Sequence, residues 1–544
     1  MLHLLLYAVL LAQVGQPQGK PAPVKISERE AAQHRLERQN LFLHVSKEHG
    51  FEDSIEVSVT VDRSGSVVST HVDLTGRNGD YKDSPAILAE AESMVRNLKY
   101  SPFTRAGKAV VAQFAEAVFL LPPELKPAKH VPFPRVKDWN SVKIGLSRTT
   151  CYGSCPSYTV EISGNGSVNY TGNYYVTFVG THRGFIPPKN VIALVKDFEK
   201  ADFYSLADNY STTVTDNPSQ TISISIDGLR KEVVDYVGLE SGMPLSAHRL
   251  EEEIDRVSGS DRWTVGNADT IAALEAEHWD FKSPAAAATL SRAAQRGDAA
   301  VVRDLVAAGV PLNLNFQRSK PPHSGEEPPA LIVASGKGSL EMIRTLADSG
   351  AAADPVVLTK AVVVAAYSGN VDAYRLLLTY GAPSNPTDLT GITALMAAAH
   401  SGRPAMVREL LDRHADVNAS AVAPPALCLH NIDACDYAGH TTLMEAVNTS
   451  DYDVPAEGVD RVEVVRLLLA AGADVNARDK QGNTALILCS NNALQAEVLL
   501  KAGADPNARN RDGKTALEQT YDDDVKRVLR KYGAIAIKSS AEKQ

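Results

Sequence analysis

Two different hydrophobic periods run along this chain, and the change from one to the other divides it. Ile55, Val57, Val59 and Val61 alternate with polar residues, which predicts a half-buried strand. Asp62-Arg63-Ser64-Gly65 reads as a hairpin turn, with Val68, Thr70, Val72 and Leu74 on the return strand. From about Pro85 the period lengthens: Ile87, Leu88, Ala91, Met94, Val95 and Leu98 share one helical face. Tyr100-Ser101-Pro102-Phe103 then leads to a third strand through Val110, Ala112, Phe114 and Val118. These elements predict a small α+β module over 35–124.

A second module of the same class is predicted over 138–263. Val142 to Leu146 begins it, and Thr159–Ile162 pairs with Gly166–Tyr170 across Ser163-Gly164-Asn165. A helix near 189–200 carries Val191, Leu194, Val195 and Phe198. Ile222, Ile224 and Ile226 form another strand, turned at Asp227-Gly228 and returning through Val233, Val234 and Tyr236. Leu250 and Ile254 lie on a closing helix, where Glu251-Glu252-Glu253 reads as a solvated face.

Beyond about 284 the period is helical and glycine punctuates it. Gly391-Ile392-Thr393-Ala394-Leu395 recurs at Gly439–Leu443, Gly482–Leu486 and Gly513–Leu517. A second phrase recurs beside it: His414-Ala415-Asp416-Val417-Asn418, Gly472-Ala473-Asp474-Val475-Asn476 and Gly503-Ala504-Asp505-Pro506-Asn507. Thr suits a helix N-cap, and Leu points inward. A small residue follows where helices approach (Ala398, Ala446, Cys489), and Gly402 ends the first helix. Fainter copies start near Thr289, Ala330 and Val362, with Gly297, Gly338 and Gly369 at their turns. The last copy, Thr515 to Ala534, has Asp522-Asp523-Asp524 where a Gly turn is expected and a helix rich in Lys and Arg, as in a terminal cap.

These phrases closely resemble the ankyrin repeat, a β-turn and two antiparallel helices of about 33 residues. The resemblance implies an α-solenoid of about seven units over 284–535, a non-enzymatic binding surface and a protein partner. Insertions at 314–328, 419–438 and 449–460 map to loops. The partner-binding residues it implies lie at the turn tips: Asp479, Lys480, Gln481, Asn483, Arg509, Arg511 and Asp512. The first module resembles the C-terminal domain of TonB-type proteins. The matching pieces are Val59–Val67, Tyr100-Ser101-Pro102-Phe103 and Gly107-Lys108-Ala109-Val110. That family binds an extended peptide on a sheet edge. Its energy transduction also needs a membrane-spanning helix and a long linker ahead of the domain, so that activity is not carried over. The phrase Cys151-Tyr152-Gly153-Ser154-Cys155-Pro156-Ser157-Tyr158 is similar to an uncharacterised bacterial extracytoplasmic domain family.

Composition narrows the function. A formal net charge of −10 over 544 residues argues against a nucleic-acid partner. Leu4 to Ala12 is an apolar run of signal-peptide length, too short to span a bilayer comfortably, so residues 1–15 are expected to be a signal peptide and 16–34 a linker. The expected location is periplasmic or otherwise extracytoplasmic, with no membrane span in the mature chain. Residues 536–544 form a tail.

Export makes a disulfide the default for Cys151 and Cys155, four residues apart. A redox-active pair is the alternative; the spacing is not Cys-x-x-Cys, and Arg148 is the only nearby cation. Cys489 reads as a buried structural Cys. Cys428 and Cys435 are expected to pair, although Cys428, His430, Cys435 and His440 also match a zinc set in type. No elbow, phosphate loop or dinucleotide fingerprint is present, and no cofactor is expected. The expected function is therefore exported, non-enzymatic protein binding or scaffolding. The other function considered is periplasmic thiol-disulfide or metal handling.

Overall fold

The computed structural model describes residues 23–36, 41–45, 54–72, 84–105, 107–313, 316–317, 326–387, 391–421, 439–447 and 458–535. They fall into two compact units. One comprises residues up to Val168 together with Phe185–Ser258, and the other Asn169–Gly184 together with Gly259 onward. The expected signal peptide (1–15), the tail and most of the three insertions lie outside the described residues.

The first unit holds two sheet-based layers. In the N-terminal sheet, β3 (Ser54–Val61) lies between β7 (Ala112–Leu121) and β4 (Val67–His71), antiparallel to both. Two short strands, β1 (Val24–Lys25) and β2 (Leu41–His44), pair in parallel with the two ends of β7. The helix α2 (Pro85–Arg96) packs on β3 and β4. Two expectations change here. Ile26 and Ala31 are buried in this core, with α1 at Glu28–His34, so residues from Val24 onward are part of the fold rather than linker. The return strand also slips: Val61 faces Val67 while Thr60 faces Ser69, so Val68 is bulged out and 58% exposed, and Val67 packs inward instead.

β7 carries a polar residue on its buried face. Glu116 accepts from Tyr100 Oη at 2.7 Å and pairs with Arg35 at 3.2 Å, which satisfies a carboxylate that the strand alternation drives inward.

The other layer of this unit orders β9 (Ser157–Ser163), β8 (Lys143–Arg148), β13 (Gln220–Ile226), β14 (Leu229–Tyr236) and β12 (Asn209–Ser211). Ile144, Leu146, Ile222 and Ile224 bury one face. The helix α4 (Leu245–Ser258) covers β8, β9 and β13 and packs on α3 (Pro188–Lys200).

In the second unit, seven helix pairs are present among the described residues, from Pro284–Arg296 with Ala299–Ala307 to Ala516–Gln519 with Asp523–Lys531. First helices contact first helices of the next pair, and second helices contact second helices. Thr393 and Thr484 cap their helices as their phrase requires, and Thr515 forms a capping box with Glu518. The faint copies differ. Their first helices start at Pro284, Ala330 and Pro355, so Thr289 and Val362 lie inside helices, with Ser283 and Asp354 as caps. Gly297, Gly338, Gly369 and Gly402 all have positive φ at the helix ends.

This unit also contains a piece the sequence placed in the middle module. Residues 169–184 carry most of a hairpin, and the Thr177 and Phe178 amides donate to Thr264 and Trp263 carbonyls. Arg292 of the first repeat donates to the Thr177 carbonyl at 2.8 Å. Tyr170 and His182 stack on Trp263, and His182 Nδ1 meets Glu277 at 2.6 Å. The first repeat thus has an N-terminal cap built from distant sequence.

Candidate functional site

The Asp-x-Asn phrase builds the turn surface of the repeats. Asn476 Nδ2 donates to the Gly503 carbonyl at 3.1 Å, and its Oδ1 accepts from the Asp505 amide at 2.9 Å. Asn418 makes the same two bonds to Gly472 and Asp474. Asn507 makes them to Gly533 and Ile535. The Asp of each phrase folds back on the amide two residues on, as Asp474 does to Asn476 at 3.0 Å. At these three turns one residue type therefore fastens the turn to the backbone that follows and satisfies groups that would otherwise need water.

The seven expected contact residues divide on this surface. Lys480, Arg511 and Asp512 are exposed at the tips. Arg509 is exposed and bonds the Gly513 carbonyl, and Gln481 is half-buried. Asn483 is half-buried between Asp479 and Asn510. Asp479 is a correction: it is buried, accepts from the Asn483 amide at 2.7 Å and lies 3.5 Å from His440 Nε2. A short acceptor at the start of a turn is more useful folded back than projected outward.

His440 stands between two carboxylates, since its Nδ1 donates to Glu445 at 3.0 Å. His400 donates to the other Glu445 oxygen at 3.1 Å. Burial pushes the Glu445 carboxyl up, but the His400 and His440 hydrogen bonds and charges outweigh it and hold it at about 2. His440 is therefore engaged in joining repeats. Cys428, His430 and Cys435 lie outside the described residues.

Cys489 is buried as expected, and burial raises its thiol to about 12, which suppresses the thiolate. Cys151 and Cys155 lie at disulfide distance, with Sγ atoms 1.98 Å apart. Tyr152 between them is 90% exposed. Arg148, the cation nearest in sequence, is committed elsewhere. It bonds Glu251 at 3.1 Å and Asp255 at 3.1 Å, and Tyr158 Oη donates to Asp255 at 2.8 Å.

That commitment exposes a second correction. Glu251 is not on a solvated face: it is 2% exposed. Its neighbours include Asp235, also buried, and His248, which meets Asp235 Oδ2 at 2.8 Å. Burial raises the Glu251 carboxyl to about 9, with the Asp235 charge adding to the effect. Burial also pushes Asp235 up, but the His248 hydrogen bond and charge, with the Gly238 amide, leave it below the usual range. A signal for Glu251 existed in sequence: it falls on the same helical face as Ala247, Ile254 and Ser258, all buried. Asp235 carried no such signal, because its side-chain partners, His248 and Glu251, are 13 or more residues away.

Known families match three stretches of the chain. Residues 354–421 match the model for ankyrin repeats (3 copies), and residues 460–496 match that for ankyrin repeats (many copies). The C-terminal half carries ankyrin repeats. Residues 142–258 match a domain of unknown function (DUF6438), which contains the disulfide and the Arg148 cluster. No curated protein matches the chain. Among the described residues, no helix is long and apolar enough to cross a membrane.

Proposed function

We propose that this chain is an exported, non-enzymatic binding protein that holds another protein on the turn tips of a continuous ankyrin solenoid. The observation that carries the reading is the division of labour at the turns. Asn418, Asn476 and Asn507 satisfy the backbone between repeats, which leaves Lys480, Arg511 and Asp512 exposed on a rigid base. Rigid presentation lowers the ordering cost of binding, and Arg is a common interface anchor. The apolar run at Leu4–Ala12 supports export, and the Cys151–Cys155 pair is at home in an oxidising compartment. The TonB-like sheet would add a peptide-binding edge at β4, whose outer side pairs with no further strand among the described residues.

The test is charge reversal in the full chain: Lys480→Glu, Arg511→Glu and Asp512→Lys together. A protein captured by the parent from its native compartment should be lost by the triple variant while circular dichroism stays unchanged. Undiminished capture by a folded variant refutes the tip surface.

A further inference from the structure

The DUF6438 region contains a second built site, independent of the repeats. We propose that Asp235, His248 and Glu251 bind one divalent transition-metal ion of the kind that favours carboxylate and imidazole ligands, such as Mn(II).

His248 and Glu251 are three residues apart on α4, which places them on one face, and Asp235 stands near the end of β14. One ligand atom from each lies within 4.8 Å of the others. The separations suit an ion at about 2.0–2.2 Å from each. His248 Nδ1 is 2.8 Å from Asp235 Oδ2, already right for neighbouring ligands, and 4.0 Å from Glu251 Oε1. Closing the longer separation takes side-chain movement of less than about 1 Å.

The second observation is an orphaned oxygen. Glu251 is 3% exposed at its side chain, and its Oε1 meets no donor group; it faces the Asp235 carboxyl, to which only a proton or a cation can join it. Its other oxygen is held by Arg148 Nη1. Asp235 is arranged likewise: Oδ1 accepts from the Gly238 amide at 2.7 Å, and Oδ2 turns to the cluster. One oxygen of each acid is thus fixed by an outer partner while the other converges inward, which is how outer groups orient metal ligands. Once Glu251 has given up its proton and His248 ligates as the neutral ring, Asp235, Glu251 and Asp255 bring three negative charges against the Arg148 guanidinium, and a dication balances the remainder. His248 is 29% exposed at its side chain, which opens the site on that side to an entering ion and to water ligands. Two oxygens, one nitrogen and no sulfur disfavour soft ions. Any proton held at His248 Nδ1 or shared by the two acids leaves to solvent as the ion enters.

The test uses the full chain with Cys428→Ser and Cys435→Ser, which removes thiolates elsewhere, after treatment with chelator. Mn(II) is titrated and the free ion is followed by electron paramagnetic resonance. The expected result is one bound equivalent, weakened at least tenfold by His248→Ala and by Glu251→Gln. Glu445→Gln should leave binding unchanged. Glu251→Gln is isosteric, and His248→Ala removes a partly exposed ring; circular dichroism identifies whichever variant stays folded. No Mn(II) binding at millimolar concentration, or equal binding by a folded His248→Ala or Glu251→Gln variant, overturns the site and leaves a proton as the occupant.

Discussion

The ankyrin repeats and the DUF6438 region both commit polar side chains to internal hydrogen bonds, but they do so in opposite ways. In the repeats the same Asn recurs at three turns, bonded to backbone further along the stack, and the tips remain exposed. In the DUF6438 region, Arg148, Glu251, Asp255 and Asp235 form one cluster drawn from a strand end, a second strand and a helix, with residues 103 and 107 positions apart in direct contact. A repeated polar bond is small and additive. A single charge cluster is large and fails as a whole when one member is lost.

The largest effect should come from breaking the cluster. Arg148→Met leaves the buried Glu251 and the half-buried Asp255 without their cation, and the variant should lose about 3–5 kcal/mol in urea unfolding. The repeat core should answer on a similar scale but by cavity formation. Leu468 is fully buried, and Leu468→Ala should cost about 2–5 kcal/mol. A silent result for Arg148→Met would erase the contrast between the two regions.

A third prediction separates charge from packing inside the repeats. Glu445 has its folded-state carboxyl held at about 2, below an ordinary value of 4.5. A depressed acid contributes stability above its unfolded value and loses it as pH falls through the folded one. The gap between parent and Glu445→Gln in urea unfolding should therefore be full above about pH 5. It should close by on the order of 2–3 kcal/mol as pH drops toward 2. A gap that does not change with pH would mean that the His400 and His440 bonds do not set the acid. The smallest effect should be at the turn ladder. Asn476→Ala removes two partly exposed hydrogen bonds and should cost about 1–2 kcal/mol. A cost matching that of Leu468→Ala would make the ladder, rather than the apolar core, the main support.

Legibility in sequence followed the same division. The strong repeats were readable from Thr393, Gly402 and Asn418, because each residue type recurs at its own place in the phrase, where a helix cap, a positive φ or a turn requires it. The strands at Ile55 and Ile222 were readable from alternation. Val68 was misplaced because a bulge adds one residue, which alternation does not register. Asp479 read as a tip residue because turns are polar, whereas the deciding fact is its bond to Asn483 and its approach to His440 from another repeat. The Arg148 cluster and the hairpin that caps the first repeat were out of reach for a simpler reason. Their partners lie about 100 residues apart, and no local pattern encodes who meets whom.

The most direct measurement is a hydrogen-exchange footprint of the full chain with its captured protein bound. Protection should concentrate on the turn segments around 478–483 and 509–514, with little change over 142–258. Protection over 142–258 with the turn tips exchanging freely would contradict binding through the ankyrin surface.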